Sequence, residues 1–178
     1  MRRRALLIIA AATLAACRGT PEPPEAPGAT TGAVDVRAVA TLVERPLADS
    51  AAALGERTYV VCATCHQQDG QGVPTAFPPL AGSEWVAGPA EVPIRIVLHG
   101  LHGPITVKHE PYVGTMAPLG ALLDDRQIAA VLTYVRSSWG NRAGPVTEAE
   151  VAAVRAASAA RGGTPYRAAE LEGMLKGK

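Results

Sequence analysis

Cys62-Ala63-Thr64-Cys65-His66 has the Cys-x-x-Cys-His spacing of covalent c-type haem attachment. On a helical turn, positions i, i+3 and i+4 share one face. Both thiols can therefore bond haem vinyl groups while the imidazole reaches the iron from the same side. The competing readings are weaker. Zinc would want four ligands, and the one further cysteine is Cys17. A redox-active cysteine pair belongs in a βαβ context, which the chain's pattern lacks. The three cysteines thus have separate uses, and no disulfide is expected.

Upstream of the motif, residues 48–61 carry good helix formers behind an Asp49/Ser50 start signal, with Leu54, Tyr59 and Val61 as a packed side. Gly55 inside this helix costs up to about 1 kcal/mol relative to alanine, which points to a close helix crossing. Downstream, residues 67–74 form a turn-rich loop with Gly70 and Gly72, continued by Phe77-Pro78-Pro79-Leu80-Ala81-Gly82. A ligating histidine needs its second ring nitrogen held by an acceptor. The carbonyl of Pro78 or Pro79 is placed to supply it.

Residues 91–98 read as a short, largely apolar helix interrupted by Arg95. That arginine either pairs with a haem propionate, which suits its planar fork, or faces solvent without a partner. A small hairpin is expected next, with Gly103–Val107 and Tyr112–Gly114 flanking Lys108-His109-Glu110-Pro111. It leads to Thr115-Met116-Ala117-Pro118. Of the three methionines, Met1 leaves with the signal and Met174 lies in the tail, so Met116 is the candidate sulfur ligand to iron. His/Met ligation raises the haem potential and suits electron transfer. His99, His102 and His109 are the rival ligands, and Met116 as a core filler is the plain alternative. Asp124 and Gln127 form a capping box that opens the clearest helix. Ile128, Val131, Leu132 and Val135 make its apolar stripe, and its expected partner is the helix carrying Gly55 and Tyr59.

The ends carry other signals. Arg2-Arg3-Arg4 precede the apolar stretch Ala5–Ala16, which is too short to span a bilayer and has the form of a secretory signal. Its end, Leu14-Ala15-Ala16-Cys17, resembles the bacterial lipobox. That resemblance implies cleavage before Cys17 and lipid attachment to it; the alternative is ordinary cleavage with Cys17 incidental. Residues 18–46 are proline- and alanine-rich and read as a tether, with a reach of about 30 Å if flexible and about 90 Å if polyproline-like. Within them, 34–39 alternate and form either a short strand or part of the linker. Beyond Asn141, Thr147 and Glu150 form a second capping box, opening a helix to about Ala160. It either docks on the domain or a partner, or stands solvated.

Composition agrees with this layout. Aromatic content is 4%, with one phenylalanine, so side chains alone make a thin core that a haem would fill. The formal charge of +1 gives no indication of nucleic-acid binding, and loss of Arg2–Arg4 with the signal turns it negative. The expected organisation is a signal peptide at 1–16, lipidated Cys17 with a tether to 46, a domain at 47–141, and an extension at 142–178.

Together, Cys62–His66, Phe77–Ser83, Tyr112-x-x-x-Met116 and the helix with Leu132 and Tyr134 resemble a class I monohaem cytochrome c. Residues 97–105 and 131–141 are similar to cytochrome subunits of quinoprotein and flavoprotein dehydrogenases and to cytochrome domains of copper nitrite reductases. The resemblance implies an all-α, cytochrome c-like domain around one covalent haem c, with a small hairpin before the methionine. It implies Cys62 and Cys65 as attachment points and His66 and Met116 as iron ligands, with Pro79, Arg95 and Tyr112 in the haem surroundings. Three positions depart from the pattern. Gln67 stands where glycine commonly follows the histidine, Ala117 where proline often follows the methionine, and His109 where glycine is frequent in the hairpin. The implied role is a carrier rather than an enzyme, on the periplasmic side of a bacterial membrane. It would pass electrons from a dehydrogenase or quinol-oxidising complex to an oxidase or reductase. A fixed relay subunit, or a haem enzyme or gas binder with labile Met116, are the alternatives.

Overall fold

The computed structural model describes residues 50–176. The signal-like segment, Cys17, the tether with its alternating 34–39 piece, and residues 47–49 lie outside the described residues. The order of elements is α1 (Ala51–Thr58), α2 (Val60–His66), α3 (Glu84–Ala87), α4 (Glu91–His99), β1 (Leu101–Val107), β2 (Glu110–Met116), α5 (Asp125–Ser137), α6 (Glu148–Ala157), a 3-10 turn (Ala159–Arg161) and α7 (Ala168–Leu175). The architecture is mostly helical, with one two-stranded antiparallel hairpin.

The single helix expected over 48–61 is two. Ser50 caps α1 by accepting from the Ala53 amide, and α1 meets α2 at Tyr59, which keeps right-handed helical angles, before α2 carries the cysteine motif. Tyr59, 1% exposed, turns inward beneath Tyr134 and Trp139, with ring centroids 5.4 and 5.0 Å away. Gly55 meets α5 where its sequence position called for a close crossing. An ideal Cβ there would lie 2.4 Å from the Ala130 carbonyl oxygen. The Asp124/Gln127 capping box opens α5 with both reciprocal bonds made, and Ile128, Val131, Leu132 and Val135 are all buried.

The hairpin is longer than its sequence suggests. Seven residue pairs run from Leu101↔Met116 to Val107↔Glu110, so Met116 ends a strand rather than lying in a loop. Lys108 and His109 make the turn with φ of 52° and 69°, the left-handed pair that a tight two-residue hairpin demands. That explains why glycine would suit the His109 position.

The extension packs into the domain. Thr147 and Glu150 cap α6, whose Val151 and Val154 join Ile94, Leu98, Ile128 and Leu132 in one core. Arg155 ties it to the segment after Met116, donating to Gly120 O and Leu123 O and pairing with Asp125 at 2.6 Å. A second helix, α7, was not anticipated. Its Leu171, fully buried, packs with Trp85, Val92, Leu101 and Tyr112 in a second core. Tyr166 lies alongside β1 as a one-residue third strand: its amide donates to Gly100 O, and its carbonyl accepts from His102 N.

Candidate functional site

Cys62 and Cys65, one turn apart on α2, face a cavity of about 350 Å³ together with His66, and Met116 at the end of β2 reaches the same space. Between them the wall is apolar, built from Pro78, Pro79 and Leu80 of the loop, Ile96 and Val97 of α4, Leu101 of β1, and Val131, Leu132 and Val135 of α5. The α5 stripe thus does two jobs, packing the core and walling the cavity.

The His66 ring is fixed. Its Nδ1 lies 2.8 Å from the Pro78 carbonyl, which can only accept, so Nδ1 carries the proton and Nε2 keeps its lone pair. Burial holds the imidazole below its usual pKa, against the opposing pull of Pro78. A neutral imidazole with a free Nε2 is what ligation of a metal requires. Of the two proline carbonyls anticipated, Pro78 makes the bond, while Pro79 lines the cavity. Burial, then the neighbouring Cys65, push the Cys62 thiol up to about 11.

Tyr112 is buried in the cavity wall, as placed from sequence. Arg95 is not among the residues that line the cavity, and it is not the partnerless, solvent-facing arginine of the alternative reading. Its Nε bonds Glu91 one turn back at 3.0 Å, and Nη1 donates to the Tyr166 hydroxyl at 2.7 Å. An i, i+4 carboxylate and a tyrosine brought in from the extension hold the guanidinium. The rival histidines are occupied elsewhere. His99 ends α4, with its ring nitrogens 2.8 Å from Ser158 Oγ and 3.1 Å from Gly162 O. His102 bonds Thr115 across the strands, and His109 is in the turn. Sequence reasoning missed Trp85, which lines the cavity and donates from Nε1 to Thr106 O at 2.8 Å. Its signal was being one of two tryptophans in an aromatic-poor chain. No group of three or more His, Cys, Asp or Glu side chains able to hold a metal occurs among the described residues.

Gln67, the departure next to the histidine, sits at φ 62°, ψ 162°, a region almost reserved for glycine that costs about 1–3 kcal/mol. The Tyr59 hydroxyl donates to its carbonyl at 2.7 Å and helps hold it there. Gln67→Gly is expected to raise stability by about 1 kcal/mol, after allowing for the added freedom of the unfolded chain. Thermal melting followed by circular dichroism checks this; no rise in Tm means the glutamine side chain offsets its own strain.

Similarity to known proteins accords with this geometry. A model of the cytochrome c family matches residues 52–139. Cytochrome c-552 of Thermus thermophilus is 48% identical over 91 residues, covering 49% of this chain and 69% of that protein. The chain belongs to the cytochrome c family. Other similar proteins are longer. The cytochrome c subunit of a quinone alcohol dehydrogenase from Gluconacetobacter polyoxogenes is 40% identical over 111 residues, 60% of this chain and 23% of that subunit. A gluconate 2-dehydrogenase cytochrome c subunit from Pantoea cypripedii is 39% identical over 108 residues, 57% of this chain and 24% of that subunit. This cytochrome thus spans about a quarter of the dehydrogenase subunits that it resembles.

Membership of the family brings a covalently bound haem c with its iron. The cavity fits such a group by the chemistry of its walls: two thiols on one helical face, an imidazole with its outer nitrogen spoken for, a thioether on a separate strand, and apolar side chains between.

Proposed function

We propose that this cytochrome is a membrane-anchored one-electron carrier with a single His66/Met116-ligated haem. In this reading Cys62 and Cys65 hold the haem by thioether bonds. The haem supplies one-electron chemistry at its iron. The protein's part is to keep both axial positions filled, to exclude water with the apolar wall, and to leave no open position for a substrate. His66 is oriented by Pro78, and Met116 is carried by a strand paired along its length. The observation that bears most weight is the convergence of Cys62, Cys65, His66 and Met116 on one apolar cavity.

The proposed partners are redox proteins: a dehydrogenase or quinol-oxidising complex as donor and a terminal oxidase or reductase as acceptor. Similarity to dehydrogenase cytochrome subunits supports the first. Lipidation at Cys17, a tether to residue 46 and a periplasmic location complete the proposal. Two or more acyl chains would anchor the protein stably. The domain is taken as 47–141, with 142–178 as an extension packed onto it.

The test is spectroscopic. The oxidised holoprotein is expected to show a near-infrared sulfur-to-iron band, and the reduced form to bind no carbon monoxide. Carbon monoxide binding by the reduced protein would instead favour a gas-binding or catalytic role. The same dehydrogenase similarity favours a second reading, a fixed relay subunit, and stable co-purification with a dehydrogenase from detergent-solubilised membranes would select it.

A further inference from the structure

We propose that Arg136 is a buried, unneutralised positive charge that holds the haem reduction potential up. The proposal rests on the reading that Cys62, Cys65, His66 and Met116 seat the haem in the described cavity.

Arg136 follows Val135, a cavity-wall residue, on α5, and is 6% exposed. Its partners among the described residues are all main-chain carbonyls. Nη1 donates to Val86 O and to Gly88 O at 2.8 Å, and Nε donates to Gly144 O at 2.8 Å. The first two are orphan carbonyls at the C-terminal end of the short helix α3, and the Val86 side chain itself lines the cavity. The guanidinium therefore lies one side-chain layer behind the wall. Three other arginines meet carboxylates: Arg95 meets Glu91, Arg155 meets Asp125, and Arg161 meets Glu170. Arg136 meets none. Glu150 is the carboxylate whose field reaches it, but that group is exposed and bonded to the Thr147 amide and hydroxyl.

Carbonyl dipoles satisfy the donors of a guanidinium without cancelling its net charge. Burying such a charge is costly, and a fold that needed only a brace here could use neutral donors. Reduction places one electron, taken from the redox partner, on the ferric iron. A nearby fixed positive charge favours that product. Acting through protein rather than water, it is weakly screened by salt.

The experiment is potentiometric titration of full-length holoprotein at pH 6, comparing wild type with Arg136→Gln and Arg136→Lys. Gln removes the charge and keeps donors; Lys keeps the charge and loses the fork. Arg136→Gln is expected to shift the equilibrium with a reference couple about tenfold towards the oxidised haem, about 59 mV for a one-electron couple. The shift should persist at high salt, and Arg136→Lys should stay within about twofold of wild type. An Arg136→Gln protein with the wild-type potential, a lower Tm and an intact sulfur-to-iron band overturns the proposal and leaves Arg136 a brace. If Gln does not yield folded protein, Lys carries the test: a folded, band-positive Lys variant shifted as far as tenfold overturns it, and one at the wild-type potential supports it. A wild-type protein lacking that band would instead undo the ligand assignment on which the proposal rests.

Discussion

Gly55→Ala lowers the stability of the haem domain by about 3 kcal/mol, and Gly55→Leu leaves little folded protein. These are the expected results of a crossing in which α1 and α5 touch backbone to backbone. An added Cβ would sit 2.4 Å from Ala130 O and 2.9 Å from both Ala130 C and Tyr134 Cβ. None of these is the yielding tip of a flexible side chain, so α1 must lift. Overpacking costs of about 1–3 kcal/mol, occasionally more, are usual, and this site is at the severe end. For a domain of this size the alanine variant should melt about 10 °C lower. Lifting α1 also drags Tyr59 from under Tyr134 and Trp139, so aromatic circular dichroism should weaken with the melt. Gly173→Ala is the matched control. It lies in α7 with nothing within 4 Å of its Cβ, so alanine there should be neutral or gain up to about 1 kcal/mol. Wild-type melting of Gly55→Ala would show that the helices do not cross at this residue.

Met116→Leu is expected to abolish the near-infrared band of the oxidised protein, to open the reduced iron to carbon monoxide, and to lower the potential by on the order of 0.2 V. That drop is a fraction of the roughly 0.8 V over which axial ligands set haem potentials. Leucine keeps the volume and apolar character of the site, so the hairpin and its packing should survive. The three rival histidines are placed elsewhere. His99 is enclosed between Ser158 and Gly162, His102 is bonded to Thr115, and His109 is in the turn. Persistence of the band or the potential in Met116→Leu would mean that another group holds the sixth position.

Features written into a few consecutive residues could be read from the chain directly. The cysteine motif, the Asp124 and Thr147 capping boxes and the α5 stripe are local, and each sits where its spacing placed it. Gly55 was legible for a related reason, since a glycine within a helix often marks a place where something comes close. What escaped depends on partners distant in sequence. Arg95 has a fork fit for a propionate, yet Tyr166, seventy-one residues on, reaches it together with Glu91. Tyr166 and Leu171 come from a tail whose composition shows no strong stripe, and only the exposed edge of β1 and the gap beside Trp85 give them a place. Arg136 reads as a surface charge in a helix's last turn until α3 and the Gly144 loop close over it. The α1–α2 boundary at Tyr59 has no glycine or proline to announce it.

The one-residue strand at Tyr166 has a bearing on the order of assembly. Leu101 is held on one edge by Met116 and on the other by Tyr166, and Leu171 seals the layer beneath. Residues 62–66 are local in sequence, so thioether chemistry there does not require the hairpin and the Tyr166 segment to have docked. Maturation should pass through a species already coloured and tethered by its cysteines but awaiting its second axial bond. On the proposed His66/Met116 ligation, that bond would close only once the segment 166–171 has docked.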